Sequence, residues 1–330
     1  METFRAYLVE QTEEGFRAGL ARLAEDRLPP GEVTVRVAYT SVNYKDGLAT
    51  LPDGKVVRAY PMVPGIDLAG TVVASADPRF RPGQAVLATG YDLGVSHFGG
   101  YAELARLPAD WLLPLPEGLT LREAMALGTA GFTAALAIAR MQENGLTPGT
   151  GPVLVTGATG GVGSLAVNIL AKLGYEVAAS TGKAGEHEYL RRLGAAAVLD
   201  RAETTGPGRP LEKARWAGAV DTVGAATLPY VLRTTRPWGT VALLGNAGGA
   251  AFETTVFPFI LRGVSLLGID SAYCPMERRR ELWRRLAGEW KPPALDLIAS
   301  EEVDLDGLPD ALGRILRGGL RGRVVVRLGG

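Results

Sequence analysis

The sequence has little cysteine, histidine and lysine. Of its 330 residues only Cys274 is a cysteine, and only His97 and His187 are histidines. A single cysteine excludes an internal disulfide and any zinc site built from several cysteines. Lysine occurs six times, so arginine supplies most of the 35 basic side chains, which balance 35 acidic ones. A net charge of zero gives no general attraction for nucleic acid.

Long apolar runs are also missing. No uninterrupted run reaches the roughly 20 residues that a membrane-spanning helix needs. The segment Met1–Glu14 carries charged side chains where a secretory signal has an apolar core. Apolar residues make up 47% of the chain and charged residues 21%, which is a globular composition. We therefore expect a cytoplasmic protein that binds neither membrane nor nucleic acid.

The first part of the chain has the pattern of short strands separated by turns. Val33–Tyr39 alternates apolar and polar residues, and Gly70–Ala74 and Ala85–Ala88 are short apolar runs. Proline and glycine clusters punctuate them, for example at 81–83 and 114–118. We predict a small, mainly β, barrel-like domain over residues 1–120.

Further along, strands alternate with helices. The strand-like runs are Val153–Thr156, Glu176–Ser180, Ala197–Leu199, Ala219–Thr222, Thr240–Leu244 and Val264–Gly268. This alternation indicates an α/β domain with a doubly wound parallel sheet, over residues 121–272. Residues 273–330 are predicted to return to the first domain, with a helix over 277–290, a strand over 298–303, a helix over 308–316 and a strand over 323–328.

The segment Thr156–Gly163, with the sequence TGATGGVG, follows a predicted strand and opens a predicted helix. Glycines there let backbone N–H groups approach a pyrophosphate, whose charge sits at the helix N-terminus. The alternative is a turn that only lets helix and strand pack closely. The segment also fits the turn of short-chain reductases, but none of the ten tyrosines is followed by lysine at the fourth position. We predict a dinucleotide site of the Rossmann type.

The residues after the second strand of this domain indicate which dinucleotide binds. An NAD site has a carboxylate about 20 residues beyond the first glycine, bonded to the ribose 2′-OH. Here the chain reads Ser180-Thr-Gly-Lys183, with no acidic residue before Glu186. Hydroxyl groups and an ammonium suit a 2′-phosphate, and the less favoured alternative for Lys183 is an ordinary solvated lysine. We predict NADPH as the cofactor.

Several motifs together resemble a known family. They are Ser41–Asp46 (SVNYKD), Pro64–Asp67 (PGID), Gly128–Ala134 (GTAGFTA), His187–Leu190 (HEYL) and Pro258–Arg262 (PFILR). With the glycine-rich turn they resemble the medium-chain dehydrogenase/reductase superfamily, in particular the NADPH-dependent acryloyl-CoA reductases of its quinone-oxidoreductase-like branch. The resemblance spans nearly the whole chain and implies a GroES-like β-barrel domain beside the Rossmann domain. The zinc enzymes of the superfamily have Gly-His-Glu where this chain has Gly65-Ile66-Asp67, so no metal is expected.

The resemblance also implies roles for single residues. The cofactor-binding candidates are Tyr44, Thr133, Thr159, Gly160, Gly161, Val162, Ser180, Thr181, Lys183, Arg201, Asn246, Ser271 and Arg323. Thr159 to Val162 would hold the pyrophosphate, and Arg201 would approach the adenosine end. Asn246 and Ser271 would face the nicotinamide half, and Arg323 would close over the cofactor from the other domain.

Reduction of an α,β-unsaturated thioester leaves negative charge on the thioester oxygen, and without a metal this charge needs hydrogen-bond donors. The α-carbon then takes a proton from a donor or an ordered water. The catalytic candidates are Tyr44, as a donor, and Asn43, as a polar positioning group. A ring that only packs on the cofactor is the alternative for Tyr44. Asp46 and Asp67 are interpreted as turn or hydrogen-bonding residues, and Arg278–Arg280 as a solvated helix face, with a coenzyme A phosphate contact as the alternative.

Three functions are consistent with these features. The first is NADPH-dependent reduction of acryloyl-CoA to propanoyl-CoA, and the second is reduction of a quinone or another activated alkene. The third is a non-catalytic NADPH-binding sensor, which the intact Asn43-Tyr44 pair disfavours. A homodimer is expected from the resemblance, with Val264–Gly268 as the pairing edge strand.

Overall fold

A computed structural model describes residues 3–329, which fold into two compact units. The first contains residues 3–129, 272–287 and 299–329, and the second contains 130–271 and 288–298. The first unit thus extends past residue 120, and part of the segment 273–330 lies in the second unit. The boundary after Thr129 falls inside one long helix.

The first unit is built around a mixed β-sheet. Its strands and helices up to the boundary are β1 (Thr3–Thr12), β2 (Gly15–Ala24), β3 (Val33–Ser41), α1 (Tyr44–Ala49), β4 (Asp67–Ser75), β5 (Ala85–Thr89), β6 (Leu104–Leu107), β7 (Leu112–Pro114) and the start of α2 (Leu121–Glu143). β3, β4, β5 and β7 pair antiparallel in that order, and β6 pairs with β3. Valines 33, 35 and 37 of β3 are completely buried because the sheet packs on the apolar core of this unit.

The opening hairpin was not predicted. β1 and β2 pair antiparallel over their whole length, with Thr3 opposite Ala24 and Thr12 opposite Gly15. β1 buries Phe4, Ala6, Leu8 and Val9, whereas most of β2 remains partly exposed. Tyr7 is buried as well, so Ala6–Val9 are buried without a break and both faces of β1 are covered there. The charged residues of the segment, Arg5, Glu10, Glu13 and Glu14, are partly or fully exposed.

The second unit is a doubly wound parallel sheet, as predicted. Its elements are β8 (Val153–Val155), α3 (Gly161–Lys172), β9 (Val177–Thr181), α4 (His187–Arg192), β10 (Ala197–Asp200), β11 (Trp216–Asp221), α5 (Thr227–Thr234), β12 (Thr235–Leu243), α6 (Phe257–Arg262) and β13 (Ser265–Gly268). The six strands lie in the order β10, β9, β8, β11, β12, β13, and all neighbours are parallel. The strand order reverses at β8, and the glycine-rich turn follows this strand, as in other dinucleotide folds.

The remaining elements are α7 (Met276–Ala287), α8 (Leu295–Ile298), β14 (Glu301–Asp304), α9 (Leu308–Leu316) and β15 (Val324–Arg327). β15 pairs antiparallel with β3, so this part of the tail adds to the sheet of the first unit, as predicted. The predicted strand over 298–303 is partly wrong, since Ile298 ends a helical turn and β14 starts at Glu301. α7 ends at Ala287, three residues before the predicted end.

Helix α2 is long and apolar enough to cross a membrane by length and composition alone. However, 89% of its most apolar window is buried inside the protein. Its apolar faces are therefore explained by packing. Gly128 breaks its helical geometry with φ 51° and ψ −155°, a conformation that favours glycine.

Candidate functional site

The glycine-rich turn has the geometry of a phosphate cradle. Gly157 has φ 57°, and a β-carbon there would lie 2.3 Å from the Thr222 hydroxyl oxygen; one on Gly163 would lie 2.4 Å from the Gly157 carbonyl oxygen. Helix α3 begins at Gly161, and its N-cap residue, Gly160, offers no side-chain cap. Because the first N–H groups of a helix have no partner within it, those after Gly160 are directed outwards as anion donors. The turn therefore fits a dinucleotide pyrophosphate.

The residues predicted to contact the 2′-phosphate lie at the adjoining strand ends. Ser180 and Thr181 are buried, and their hydroxyls bond within the protein: Ser180 Oγ lies 2.7 Å from Thr204 Oγ1, and Thr181 Oγ1 lies 3.2 Å from Thr159 Oγ1. Thr181 Oγ1 also accepts a hydrogen bond from the Lys183 backbone N–H. These hydroxyls therefore shape the loop. Their predicted contact with the cofactor stays a prediction.

Arg201 supplies a cation at the same place. It follows β10, the neighbour of β9, and its guanidinium packs against Gly182 of the Ser180–Lys183 loop. Arg201 and Lys183 are thus brought to one end of the sheet, and the cationic environment suits a phosphate better than a ribose hydroxyl.

On the other side of the glycine-rich turn, at the end of β11, the buried residue Asp221 holds the neighbouring loops together. Its carboxylate accepts hydrogen bonds from Thr156 Oγ1 at 2.5 Å and from the Gly224 N–H at 3.0 Å. Thr222 Oγ1 donates to the Thr156 carbonyl oxygen at 2.8 Å. Burial raises the pKa of Asp221, and these hydrogen bonds oppose that rise. Asp221 therefore joins the loop after β11 to the start of the glycine-rich turn. The sequence prediction missed this residue, whose only signal is an acidic side chain at the end of a buried strand.

Three predicted cofactor contacts lie in this unit beyond those loops. Asn246 is exposed in the loop after β12, where Gly245 packs so closely that a β-carbon would lie 2.2 Å from the Thr222 carbonyl oxygen. Thr133 Oγ1 donates to Ser271 Oγ at 2.7 Å. The structure therefore brings Thr133 and Ser271 together.

In the first unit, Asn43 is the N-cap of α1 and lies in a buried polar cluster. Its side-chain amide donates to Asp46 Oδ2 at 3.0 Å and to Asp67 Oδ2 at 3.1 Å. Its Oδ1 accepts a hydrogen bond from Arg323 Nη1 at 3.0 Å. Both amide hydrogens are thereby used, so Asn43 has no donor left for a substrate oxygen. This geometry supports the predicted positioning role.

Arg323 is the cation of this cluster and only 3% exposed. Besides Asn43, it donates to the carbonyl oxygens of Val42 at 3.0 Å and Ala126 at 3.2 Å, and to the Ser41 hydroxyl. Its Nη2 lies 3.9 Å from Asp67 Oδ2. Arg323 thus supports the Asn43-Tyr44 segment through its hydrogen bonds to Val42 and Asn43. Its predicted contact with the cofactor stays a prediction.

Asp46 and Asp67 are both completely buried. Burial, and then the charge of Asp67, raises the pKa of Asp46 to about 7, although Asn43 and the Ile66 N–H donate hydrogen bonds to it. Burial also raises the pKa of Tyr101, whose hydroxyl donates to the Ser41 carbonyl oxygen at 3.1 Å. Burial lowers the pKa of Arg323, and the charge of Asp67 opposes this. The cluster thus buries two carboxyl groups beside one guanidinium, and hydrogen bonds from Asn43, Ser41 and backbone N–H groups satisfy their oxygens.

Tyr44 is the first residue of α1 and is 43% exposed. The backbone N–H of its neighbour Asn43 donates to Asp46 Oδ2 at 3.0 Å, and the Asp46 N–H donates to the Asn43 carbonyl oxygen at 3.0 Å. The backbone at Tyr44 is therefore fixed next to the buried cluster, while the Tyr44 side chain is partly exposed. The predicted contact of Tyr44 with the cofactor or substrate stays a prediction.

The described residues do not provide the ligands of the superfamily's zinc site. Among residues 3–329 no group of three or more His, Cys, Asp or Glu side chains is placed to hold a metal. His97 contacts the carbonyl oxygens of Pro30 and Phe98 through its ring nitrogens, and His187 Nε2 lies 3.3 Å from Asp200 Oδ1. Ile66 offers no ligand at the position of the zinc-binding histidine.

The predicted solvated helix face at Arg278–Arg280 is wrong for its middle residue, Arg279, whereas Arg280 is exposed and its alternative contact with a coenzyme A phosphate stays a prediction. Arg279 is completely buried, donates to the Thr89 carbonyl and hydroxyl oxygens at 2.8 Å, and lies over the Tyr91 ring. Arg278 donates to Glu281 at 2.7 Å. Arg279 of α7 therefore points into the protein, although it lies in a run of three arginines that is typical of an exposed helix face.

Family models and curated relatives agree with this architecture. Residues 29–117 match the alcohol dehydrogenase GroES-like domain, and residues 161–288 match the zinc-binding dehydrogenase domain. The chain is 51% identical to "Acrylyl-CoA reductase AcuI" of Ruegeria pomeroyi, over 98% of each protein. It is 49% identical to "Putative quinone oxidoreductase YhfP" of Bacillus subtilis, over 98% of this chain and 99% of the relative.

Two solved structures are similar along nearly their whole length. The yhdH oxidoreductase from Salmonella enterica, in complex with NADP, has a TM-score of 0.95 and 48% identity, covering 98% of this chain and 100% of the other. The Bacillus subtilis yhfP structure, with NAD bound, has a TM-score of 0.97 and 49% identity, covering 99% and 100%. These relatives confirm the prediction of a nicotinamide cofactor. The chain is an oxidoreductase that belongs to the medium-chain dehydrogenase/reductase family, in its quinone-oxidoreductase-like branch.

Proposed function

We propose that this protein reduces the activated C=C bond of acryloyl-CoA to propanoyl-CoA with NADPH. The observation that carries the substrate is the 51% identity, over 98% of both chains, to a reductase named for it. The cofactor choice is supported by Lys183 and Arg201 at one end of the sheet and by the NADP complex of a 48% identical relative.

The cofactor, when bound, supplies a hydride to the β-carbon of the substrate. The protein's own residues bind and orient the reactants. The N–H groups at the start of α3 bind the pyrophosphate, and Lys183 and Arg201 neutralise the 2′-phosphate. Tyr44 offers its hydroxyl to the thioester oxygen or a proton to the α-carbon, while Asn43 holds the start of α1 in place.

A quinone is the second candidate acceptor, supported by the printed name of the 49% identical Bacillus protein. It needs the same hydride but no recognition of a coenzyme A moiety. Steady-state oxidation of NADPH, measured with acryloyl-CoA, with a simple quinone and without acceptor, separates the candidates. A higher kcat/KM for acryloyl-CoA supports the proposal, and a higher one for the quinone overturns it. Oxidation that ignores both acceptors indicates a cofactor-binding sensor instead.

Tyr44→Phe tests the donor role. We expect kcat with saturating NADPH to fall by about a hundredfold or more, because a positioned acid typically contributes about 10²–10⁴-fold. The dissociation constant of NADPH should change little, since the ring is retained. An unchanged kcat would leave Tyr44 only a packing role.

The proposed enzyme is a cytoplasmic homodimer. β13 lies at the edge of the parallel sheet, as predicted, and pairs with a single strand of that sheet, β12. Large apolar side chains are exposed on the elements that precede β13, namely β12 and α6 with its N-cap residue. They are Trp238 at 83%, Val256 at 60%, Ile260 at 68% and Leu261 at 63%. Such a patch beside an open strand edge favours association with a second copy. Sedimentation velocity at micromolar concentration should show a dimer, and a single monomeric species would refute this.

A further inference from the structure

Gly182 separates Thr181 from Lys183 in the loop after β9, and the guanidinium of Arg201 occupies the space beside it. A β-carbon built on Gly182 would lie 2.7 Å from Arg201 Cζ, 2.8 Å from Nη2 and 2.9 Å from Nε. All three distances are shorter than real β-carbon contacts. The present position of the guanidinium therefore requires that residue 182 has no side chain.

The contact involves only the end of a flexible side chain. The three atoms nearest to the added β-carbon all belong to the Arg201 side chain. Gly182 does not have the positive φ that would strain another residue, so alanine can adopt its backbone conformation. An alanine would therefore move the guanidinium without changing the strand or the loop.

Arg201 is placed to act as a cation towards a ligand. It is exposed, and within residues 3–329 its guanidinium forms no hydrogen bond or ion pair with another residue. Only its backbone carbonyl is used, accepting from Thr204 and Thr205 at 3.2 and 3.1 Å. Its charge is thus free for an anion beside the Ser180–Lys183 loop. The carboxylate of the preceding residue, Asp200, lies 3.3 Å from His187 Nε2 and forms no ion pair with Arg201.

We propose that Gly182 is a specificity-determining residue, which selects NADPH over NADH by leaving the space that the Arg201 guanidinium needs to meet the 2′-phosphate. This inference rests on the proposed function, since it assumes that the 2′-phosphate binds at Lys183 and Arg201. NADH has a hydroxyl in place of the phosphate, so displacement of Arg201 leaves its binding nearly unchanged. Discrimination then depends on a residue without a side chain, which acts only through the position of the neighbouring guanidinium.

The chain provides a matched control three residues away. Gly185 lies in the short 3₁₀ helix 184–186 that follows the loop, and a β-carbon there would meet nothing within 4 Å. Gly185→Ala makes the same chemical change, close in sequence, without displacing Arg201. Any effect shared by Gly182→Ala and Gly185→Ala comes from the loop backbone and not from the guanidinium.

The test measures dissociation constants of NADPH and NADH by calorimetry for the wild type, Gly182→Ala, Gly185→Ala, Arg201→Ala and the Gly182→Ala/Arg201→Ala double variant. We expect Gly182→Ala to weaken NADPH binding about tenfold, the loss typical of a charge-assisted hydrogen bond, and NADH binding less than twofold. Gly185→Ala should match the wild type. The double variant should bind NADPH no more weakly than Arg201→Ala alone, because the glycine acts through the arginine.

Equal NADPH affinity in Gly182→Ala and the wild type would overturn the inference. So would a parallel loss of NADPH and NADH affinity, which would mean that the alanine disturbs the loop itself. An additive loss in the double variant would show that Gly182 acts independently of Arg201. A wild-type protein with no preference for NADPH would instead refute the cofactor part of the proposed function, which separates that failure from the others. Melting temperatures of all variants establish that each is folded.

Discussion

Replacing Arg323 by methionine should destabilise the first unit strongly. The change removes the guanidinium that donates to Val42, Asn43, Ala126 and Ser41, while the completely buried Asp67 carboxylate stays behind. Breaking a buried charge pair by removing one partner typically costs about 3–5 kcal/mol. The Asp67–Arg323 distance of 3.9 Å is long for an ion pair, so much of the loss should come from the orphaned acceptors. We expect a loss of about 3 kcal/mol or more.

Chemical denaturation followed by circular dichroism measures this loss, with Arg327→Met as the control. Arg327 is the last residue of β15, the strand that Arg323 directly precedes, but it is exposed, with Glu302 at 3.5 Å. The double variant Arg323→Met/Asp67→Asn should recover part of the stability, because it no longer buries an unbalanced charge. A loss below about 1 kcal/mol for Arg323→Met, or no recovery in the double variant, would refute the view that Arg323 balances this cluster.

Two further predictions concern buried carboxylates. The pKa of Asp46 is raised from 3.8 to about 7, so the folded protein keeps a proton that the unfolded chain releases; the resulting stability is present at low pH and lost as the pH rises through about 7. Denaturation midpoints between pH 5 and 8 should therefore fall less steeply in Asp46→Asn than in the wild type, and equal slopes would contradict this. In the other unit, Asp221→Ala should weaken NADPH binding and lower stability by about 1–3 kcal/mol, because it leaves Thr156 and the Gly224 N–H without their buried acceptor. Calorimetry and thermal melting check both effects, and unchanged cofactor affinity would show that Asp221 does not position the cradle.

Local patterns were enough to predict much of the Rossmann unit. Each predicted strand there corresponds to an observed one, although β11 begins three residues earlier than predicted and β12 five. The glycine-rich turn was found because its residues are contiguous and their spacing follows directly from the strand, turn and helix that they join. The phosphate-binding features of a βαβ unit are therefore visible in a single sequence.

Long-range polar contacts could not be predicted in the same way. Asn43 and Arg323 are 280 residues apart, and nothing in either local sequence indicates their hydrogen bond. The sequence predicts a solvated helix face for Arg279, yet this residue is completely buried and donates to the carbonyl oxygen of Thr89, 190 residues away. The packing of Arg201 against Gly182 likewise depends on the pairing of β9 with β10. Such contacts depend on the three-dimensional arrangement of the strands and not on local propensity.

The glycine break in α2 has a consequence for how the protein can be altered. A β-carbon on Gly128 would lie within 2.8 Å of polar atoms of Ser41, Asp67 and Arg323, and the next residue, Thr129, donates its N–H to Asp67 at 3.0 Å. Thr129 is also the last residue of the first unit before the chain passes into the second. One carboxylate thus holds both the N-cap of the tyrosine-bearing helix and the residue at which the chain first leaves the first unit, so a substitution of Asp67 should disturb both places together.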